Sequence, residues 1–131
     1  MKTKTIQQTI KIKATPKAVY DAVMDTKKHM RFTGVKAKIA KKVGGTINCY
    51  DGYITGVNVE LKPAKHIVQA WRAMDWPEGF YSLVSFKLSK VGKNETKLEF
   101  THTGVPASDF KDKSQGWHDH YWTPLKAMLE K

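Results

Sequence analysis

The sequence predicts an α+β fold in which a curved antiparallel sheet of about six to seven strands wraps around one long C-terminal helix. Three observations carry this prediction. Apolar and polar residues alternate over several stretches, with turn residues about every ten positions, as in an antiparallel sheet. Two short segments with helical spacing follow the first such stretch. The last segment carries large apolar side chains at intervals of three and four, which indicates a helix with one buried face.

Length and composition favour one globular domain over residues 1–131. Of these residues, 40% are hydrophobic and 27% charged, and no apolar run approaches the roughly 20 residues of a membrane span. The N-terminal residues alternate in polarity and lack the apolar block of a secretory signal. Cys49 is the only cysteine, so an internal disulfide is excluded. We therefore expect a reducing, cytoplasmic setting in which this thiol is a small strand residue.

The first third of the chain is predicted to form one strand and two short helices. Thr15 and Pro16 are typical of a helix start, because the N-cap hydroxyl accepts a backbone N–H and proline has no N–H to lose there. A second helix is expected at 27–32, with Met30 and Phe32 facing inward. One face of the preceding strand is formed by Ile6, Ile10 and Ile12.

Beyond this region the pattern predicts a meander of strands that ends at a long helix. Pro124 interrupts that helix and should bend it, because proline cannot donate to the carbonyl of His120. The strands are expected at 36–40, 46–50, 53–61, 66–72, 81–89 and 96–103. The buried stripe of the helix is formed by Trp117, Tyr121, Trp122, Leu125, Met128 and Leu129.

The turn between the strands at 66–72 and 81–89 is the most informative stretch. Proline at 77 has a preset φ and glycine at 79 tolerates a positive φ, so the pair can reverse the chain. Trp76 is unusual there, because its indole must either fold back over a cavity or remain exposed as an anchor for a partner. Both alternatives point to a binding protein. The candidate partner-binding residues are Trp76, Pro77 and Glu78.

The positive charge is concentrated in one part of the chain. Residues 1–42 hold twelve Lys or Arg against two Asp, a net charge of +10, while the whole protein carries +11. Such a field steers an acidic partner and weakens with salt, although the same lysines could simply form a solvated face. No nucleic-acid recognition motif accompanies the charge, so nucleic acid is not the expected partner. The candidate steering residues are Lys36, Lys38, Lys41 and Lys42.

No constellation of residues predicts catalysis. His118 and His120 are two positions apart on a helix and point to different sides, so they do not predict a metal site. His102 is expected to face the interior as a hydrogen-bonded core residue, and Ser82 has no evident base partner. We therefore expect no cofactor, no metal and no enzymatic activity. A hydrolase or cyclase ranks last among the alternatives.

Several stretches of the sequence resemble one family. They are TPKAVYDAV at 15–23, LKPAKHIVQAWR at 61–72, WPEG at 76–79, TGVP at 103–106 and QGWHDHYW at 115–122. Together they resemble the C-terminal-type domain of the activator of heat-shock protein 90 ATPase homologue family, within the Bet v 1-like/START helix-grip superfamily. KHIVQAWR followed closely by WPEG is fairly specific to this branch, whereas the helix-grip order alone is shared by many functions.

The resemblance implies a co-chaperone of the stress response that binds heat-shock protein 90 and modulates or stimulates its ATPase. The full-length eukaryotic activator has a preceding domain that docks on the chaperone; we expect this chain to lack it and to stimulate weakly. The alternative is a carrier for a small apolar ligand between sheet and helix, which fails if bulky side chains fill that space. The candidate lining residues are Phe32, Trp71, Phe100, His102, Trp117 and Tyr121.

Overall fold

A computed structural model describes residues 2–131 as an α+β fold built on one seven-stranded antiparallel sheet. The strands are β1 (Thr3–Ile12), β2 (Lys38–Ile39), β3 (Thr46–Cys49), β4 (Ile54–Lys62), β5 (His66–Ala73), β6 (Ser82–Gly92) and β7 (Glu95–Pro106). Their spatial order is β1-β7-β6-β5-β4-β3-β2, so the strands from β2 to β7 form a meander and β1 pairs with β7. The sheet curves around a long C-terminal helix, which confirms the predicted helix-grip class.

Four α-helical segments complete the fold: α1 (Pro16–Met24), α2 (Thr26–Thr33), α3 (Phe110–Gly116) and α4 (Thr123–Leu129). The N-cap of α1 is Thr15, whose hydroxyl accepts a hydrogen bond from the Ala18 N–H at 3.2 Å, as the sequence predicted. Asp25 caps α2 in the same way, through the Lys28 N–H at 3.0 Å. Gly34 ends α2 with a φ of 73°, a conformation that glycine adopts without strain. These local signals place two short helices directly after β1.

The inner face of α2 differs in one position from the prediction. Phe32 is buried as expected, but Met30 is only half-buried and His29 occupies the other interior position. The two buried residues are three apart and therefore share a face of the helix. Their rings lie 4.9 Å apart, and the Phe32 ring is 5.1 Å from that of Tyr121 in the terminal helix. This aromatic contact attaches α2 to the terminal helix.

The terminal helix runs continuously over residues 107–129, with a π-helical segment at Trp117–Trp122 between α3 and α4. The disturbance expected at Pro124 thus takes the form of a widened turn just before the proline, where Thr123 N–H bonds to His118 O. Pro124 has no N–H to donate to the carbonyl of His120. This carbonyl instead accepts a hydrogen bond from the Tyr50 hydroxyl at 2.8 Å. Of the predicted stripe, Trp117, Tyr121, Trp122 and Leu125 are buried, while Met128 and Leu129 are half-buried.

The core between the sheet and the terminal helix is largely aromatic. The rings of Phe100 and Trp117 lie 4.3 Å apart, and those of Phe100 and Trp122 lie 5.1 Å apart in an edge-on arrangement. The predicted inner face of β1, formed by its three isoleucines, is buried against this core. At the opposite edge β2 has only two residues instead of the predicted five, which shortens the exposed edge of the sheet. Within residues 2–131 no helix is both long enough and apolar enough to cross a membrane.

Candidate functional site

The turn after β5 does not present its tryptophan to solvent. Trp76 is only 7% exposed, because its Nε1–H donates to Asp109 Oδ2 at 2.9 Å and its ring meets Phe80 edge-on at 5.6 Å. The expectation of an exposed indole anchor is therefore wrong, and the alternative that the indole folds back is correct. Asp109 lies 33 residues away at the start of the terminal helix, so no local pattern reveals this partner.

The tip of the same turn is exposed and firmly held. The guanidinium of Arg72 donates to the carbonyl oxygens of Trp76 and Pro77 at 2.9 and 2.7 Å. Pro77 and Glu78 are exposed, and Gly79 adopts a φ of 78° that reverses the chain. A groove of about 410 Å³ separates this turn from the segment that joins β7 to the terminal helix. The role of Pro77 and Glu78 in binding a partner stays a prediction.

A half-buried lysine joins the terminal helix to the loop before β4. The ammonium group of Lys113 lies 2.9 Å from Asp109 Oδ2 and donates to the Tyr53 hydroxyl at 3.0 Å. Burial by itself would lower the pKa of Lys113, but hydrogen bonds and charge contacts with Asp109 and Tyr53 raise it overall. The Tyr53 hydroxyl in turn donates to Asp75 Oδ1 at 3.0 Å. Helix, loop and turn are thereby fixed at one end of the sheet.

The four candidate steering lysines lie in or beside the edge strand β2 and are all exposed. Lys41 lies 3.7 Å from the carboxylate of Asp25, a weak surface pair. Among residues 2–131, Lys36, Lys38 and Lys42 form no ion pair, so their charge is uncompensated locally. This strand and its two flanks, residues 36–42, are called the basic edge below.

A chain of buried amides that the sequence did not indicate supports the basic edge. The side-chain amide of Asn58 donates to the carbonyls of Ala40 and Lys42, and its own oxygen accepts from Gln69 Nε2 at 3.0 Å. Gln69 Oε1 accepts from the Trp71 indole at 2.9 Å. Alternation along β4 does not reveal which face is buried, because Asn58 faces inward while Val57 and Val59 are exposed. No local signal distinguishes a polar residue that is buried with partners.

His102 is buried within a second polar chain. Its Nδ1 accepts from the Trp117 indole at 3.1 Å, and its Nε2 lies 2.7 Å from Ser82 Oγ. The sequence showed no evident base partner for Ser82, and the structure places a histidine beside it. An indole N–H only donates, so the proton of the neutral ring is on Nε2, which cannot then act as a base toward the serine. The serine hydroxyl donates to the carbonyl of Trp71 at 3.2 Å. Burial, reinforced by the charge of Lys113, lowers the pKa of His102 to about 3.

The predicted lining residues separate into two groups. Phe32, Phe100 and His102 are enclosed in the core, where aromatic side chains fill the centre of the sheet's concave face. Trp71, Trp117 and Tyr121 instead line a lateral groove of about 320 Å³ between the terminal helix and the loop before β4. The remaining residues of this groove, called the lateral groove below, are Tyr50, Tyr53, Ile54, Asp112, Lys113, Gly116 and His120.

Reactive and metal-binding groups are sparse in the described chain. Among residues 2–131, no three His, Cys, Asp or Glu side chains converge as metal ligands. His118 and His120 are both exposed on the terminal helix. Cys49 is buried at the end of β3, and burial raises the pKa of its thiol to about 12. Such a thiol is protonated at neutral pH and suits the structural role that the sequence predicted.

Comparison with known proteins gives one consistent family. The sequence profile described as "Activator of Hsp90 ATPase homolog 1-like protein" matches residues 13–130. A Dictyostelium discoideum activator of 90 kDa heat shock protein ATPase homolog is 34% identical over 115 residues, which are 88% of this chain and 30% of that protein. The human homolog 1 is 32% identical over 112 residues, which are 85% of this chain and 32% of that protein. The chain thus spans about a third of the length of these relatives.

Solved structures extend the similarity to the whole fold. The crystal structure of an HSP90 activator from Plasmodium falciparum is 27% identical, with a TM-score of 0.91 and 96% of each chain covered. The solution structure of the Aha1 dimer from Colwellia psychrerythraea is 26% identical, with a TM-score of 0.82, and covers 97% of this chain and 96% of that chain. Because the family profile covers nearly the whole sequence, this protein belongs to the activator of Hsp90 ATPase homolog 1-like family.

Proposed function

We propose that this protein is a co-chaperone that binds heat-shock protein 90 and stimulates or modulates its ATPase, without catalysing a reaction itself. The observation that carries the proposal is the similarity to the P. falciparum HSP90 activator, which extends over 96% of both chains. The names of the curated relatives support the same partner. The match to about a third of those relatives supports a contribution to activation by this domain, and not the full activity of the longer proteins.

The geometry supports docking at one end of the sheet. The basic edge begins at Lys36, whose carbonyl accepts a hydrogen bond from Asp51 N–H at 2.8 Å. The same loop continues to Tyr53, whose carbonyl accepts from Met74 N–H, at the start of the exposed turn, at 2.8 Å. Uncompensated lysines and a rigid turn tip are therefore joined through a short, hydrogen-bonded path. A charged, pre-organised surface of this kind suits an acidic face on a protein partner.

Stimulation by such a protein would work by population shift. A co-chaperone that binds the closed, ATP-hydrolysing chaperone tenfold more tightly than the open state favours the closed state by about 1.4 kcal/mol. No group on the co-chaperone has to enter the chemical step. The protonated Nε2 of His102 next to Ser82 agrees with this non-catalytic role, because that pair cannot generate a nucleophile. We place this activity in the cytoplasm, in line with the protonated, unpaired thiol of Cys49.

A carrier with a large central cavity receives no support from the geometry. The rings of Phe86, Phe100, Trp117 and Trp122 occupy the space between the sheet and the terminal helix, with centroid separations of 4.3 to 6.1 Å. Close packing of this kind leaves no room for a ligand in the centre of the fold.

The direct test is retention of purified heat-shock protein 90 by the immobilised protein, with and without a non-hydrolysable ATP analogue, followed by an ATPase assay. We expect stronger retention with the analogue, because the closed state is the preferred partner, and an increase in the chaperone's ATPase rate. No retention in either nucleotide state would contradict the proposal.

Charge reversal of the basic edge tests the surface. The change of Lys36, Lys38, Lys41 and Lys42 to Glu should slow association by about tenfold or more and flatten its salt dependence, because the steering field is removed. The measurement is the association rate from stopped flow or surface plasmon resonance at several salt concentrations.

A matched control keeps the total charge change the same. It reverses four exposed lysines on β1, β6 and the turn that follows β6: Lys11, Lys87, Lys90 and Lys93. If both variants slow association equally, the effect belongs to net charge alone and the basic edge is not the docking surface.

A further inference from the structure

We infer that the lateral groove is a binding site for a small, neutral, planar molecule that carries one hydrogen-bond acceptor. This site is independent of the proposed co-chaperone function and lies beside the filled core. Its volume of about 320 Å³ is at the lower end of the range of small-molecule pockets, about 300 to 1,000 Å³. A single turn of a partner's helix, about 10 Å across, would need roughly 400 Å³, so a small molecule fits the groove better.

The walls of the groove favour a flat, apolar body. Trp71 and Trp117 are stacked with their centroids 4.8 Å apart and their planes inclined by 29°, and both line the groove. Tyr50, Tyr53 and Tyr121 contribute three more rings. Aromatic faces of this kind take up planar ligands through offset stacking and edge contacts.

The ammonium group of Lys113, which lines the groove, already has protein partners for its hydrogen bonds. The three donors of the Lys113 ammonium are matched by Asp109 Oδ2 at 2.9 Å, the Tyr53 hydroxyl at 3.0 Å and Asp112 Oδ2 at 3.3 Å. Asp112 also lines the groove and is paired with this lysine, so an anionic ligand would have to displace a carboxylate and a cationic ligand would have to displace the ammonium group. The electrostatics therefore favour a neutral molecule.

One polar atom inside the groove lacks a partner. Tyr121 is 98% buried, yet its hydroxyl forms no hydrogen bond with any other residue of the described chain. His29 Nε2 is the only fully enclosed side-chain polar atom without a partner in residues 2–131, so the Tyr121 hydroxyl is open to the groove. The hydroxyls of Tyr50 and Tyr53 both donate to protein acceptors. A bound acceptor such as a carbonyl would satisfy the Tyr121 hydroxyl, since unpaired groups in buried sites are costly.

A glycine in the terminal helix keeps the groove open. Gly116 has helical φ and ψ of −59° and −35°, and a Cβ built there would meet only His120 Cδ2, at 3.8 Å. The helix therefore does not require glycine at this position, where glycine is a weaker helix former than alanine. A larger side chain would extend into the groove that Gly116 lines.

The test uses two neutral fluorescent probes on the intact protein. Prodan is a planar naphthalene with a ketone acceptor, and N-phenylnaphthylamine is a neutral aromatic amine without a carbonyl. We expect Gly116→Leu to weaken binding of both probes by about tenfold or more, because its side chain fills the groove. Gly116→Ala is the matched control and should retain binding, because its methyl group would lie at an ordinary contact distance, 3.8 Å, from the nearest atom, His120 Cδ2. Circular dichroism of both variants checks that the helix is intact.

The hydrogen bond is tested separately with Tyr121→Phe. Loss of one hydrogen bond should weaken prodan about fivefold and leave N-phenylnaphthylamine within about twofold. In the unmodified protein, NMR shifts on adding prodan should concentrate at the indole N–H groups of Trp71 and Trp117, a result that does not depend on any variant folding. Unchanged prodan affinity in Gly116→Leu, shifts confined to the outer face of the sheet, or the lack of saturable binding of either probe would overturn the proposal.

Discussion

Two histidines, His102 on β7 and His29 on α2, are equally buried but differ in how their ring nitrogens are satisfied. Both are at most 2% exposed. Both nitrogens of His102 have side-chain partners, the Trp117 indole at 3.1 Å and Ser82 Oγ at 2.7 Å. Nδ1 of His29 donates to the carbonyl of Val23 at 3.1 Å, whereas its Nε2 is enclosed without a partner in the described chain.

The difference shows that burial alone does not define what a polar residue does. His102 connects the terminal helix to the sheet and cannot be replaced by an apolar ring without leaving a donor unpaired. His29 packs against the rings of Phe32 and Tyr121, at 4.9 and 5.6 Å, and serves mainly as an aromatic filler. Both must remain neutral in the folded state, because no carboxylate of residues 2–131 pairs with either ring.

Acidification should have the largest effect on the free energy of unfolding, because it acts on both histidines together. Burial lowers the pKa of His29 to about 4 and that of His102 to about 3. Between these values and the ordinary pKa of about 6.5, the unfolded chain binds protons that the folded chain does not. The stabilising contribution is therefore complete above about pH 6.5 and is lost as the pH falls toward 4. We expect the free energy of unfolding from urea titrations to drop by roughly 5 kcal/mol between pH 7 and pH 4.5. Constant stability over this range would contradict the neutral state of both rings.

Replacement of His102 by phenylalanine should have the second largest effect. His102→Phe leaves the Trp117 indole N–H buried without an acceptor and removes the partner of Ser82, at a cost of about 2 to 4 kcal/mol in the free energy of unfolding. The measurement is urea unfolding at pH 7, followed by tryptophan fluorescence. A loss below about 1 kcal/mol would mean that the chain from Trp117 to Ser82 contributes little to stability.

The same substitution at the second histidine should have the smallest effect. His29→Phe removes an unpartnered nitrogen and keeps an aromatic ring between Phe32 and Tyr121, so we expect a change within about 1 kcal/mol at pH 7. It should also remove about half of the acid sensitivity, because only His102 then resists protonation. Identical pH profiles for this variant and the unmodified protein would show that His29 is not a source of the acid effect.

Most of the fold could be predicted from the sequence because its signals are local. The cap at Thr15, the alternation along β4 to β7 and the spacing of apolar residues after Trp117 each depend on residues within a few positions of one another. The candidate site was predicted less completely. The basic edge is exposed as expected, but the orientation of Trp76 depends on Asp109, and the identity of the buried polar residues depends on partners in other strands.

The sequence by itself determined the order of elements, the concentration of positive charge in residues 1–42 and the family resemblance, because these depend on local pattern and composition. Only the tertiary structure decided which polar groups are satisfied and where space remains. The Tyr50 hydroxyl donates to the His120 carbonyl, which Pro124 leaves free, across 70 residues of chain. The lateral groove lies between the loop that carries Tyr50 and the terminal helix at Gly116. Such contacts join residues distant in sequence, so they depend on how the sheet curves around the helix and not on any local pattern.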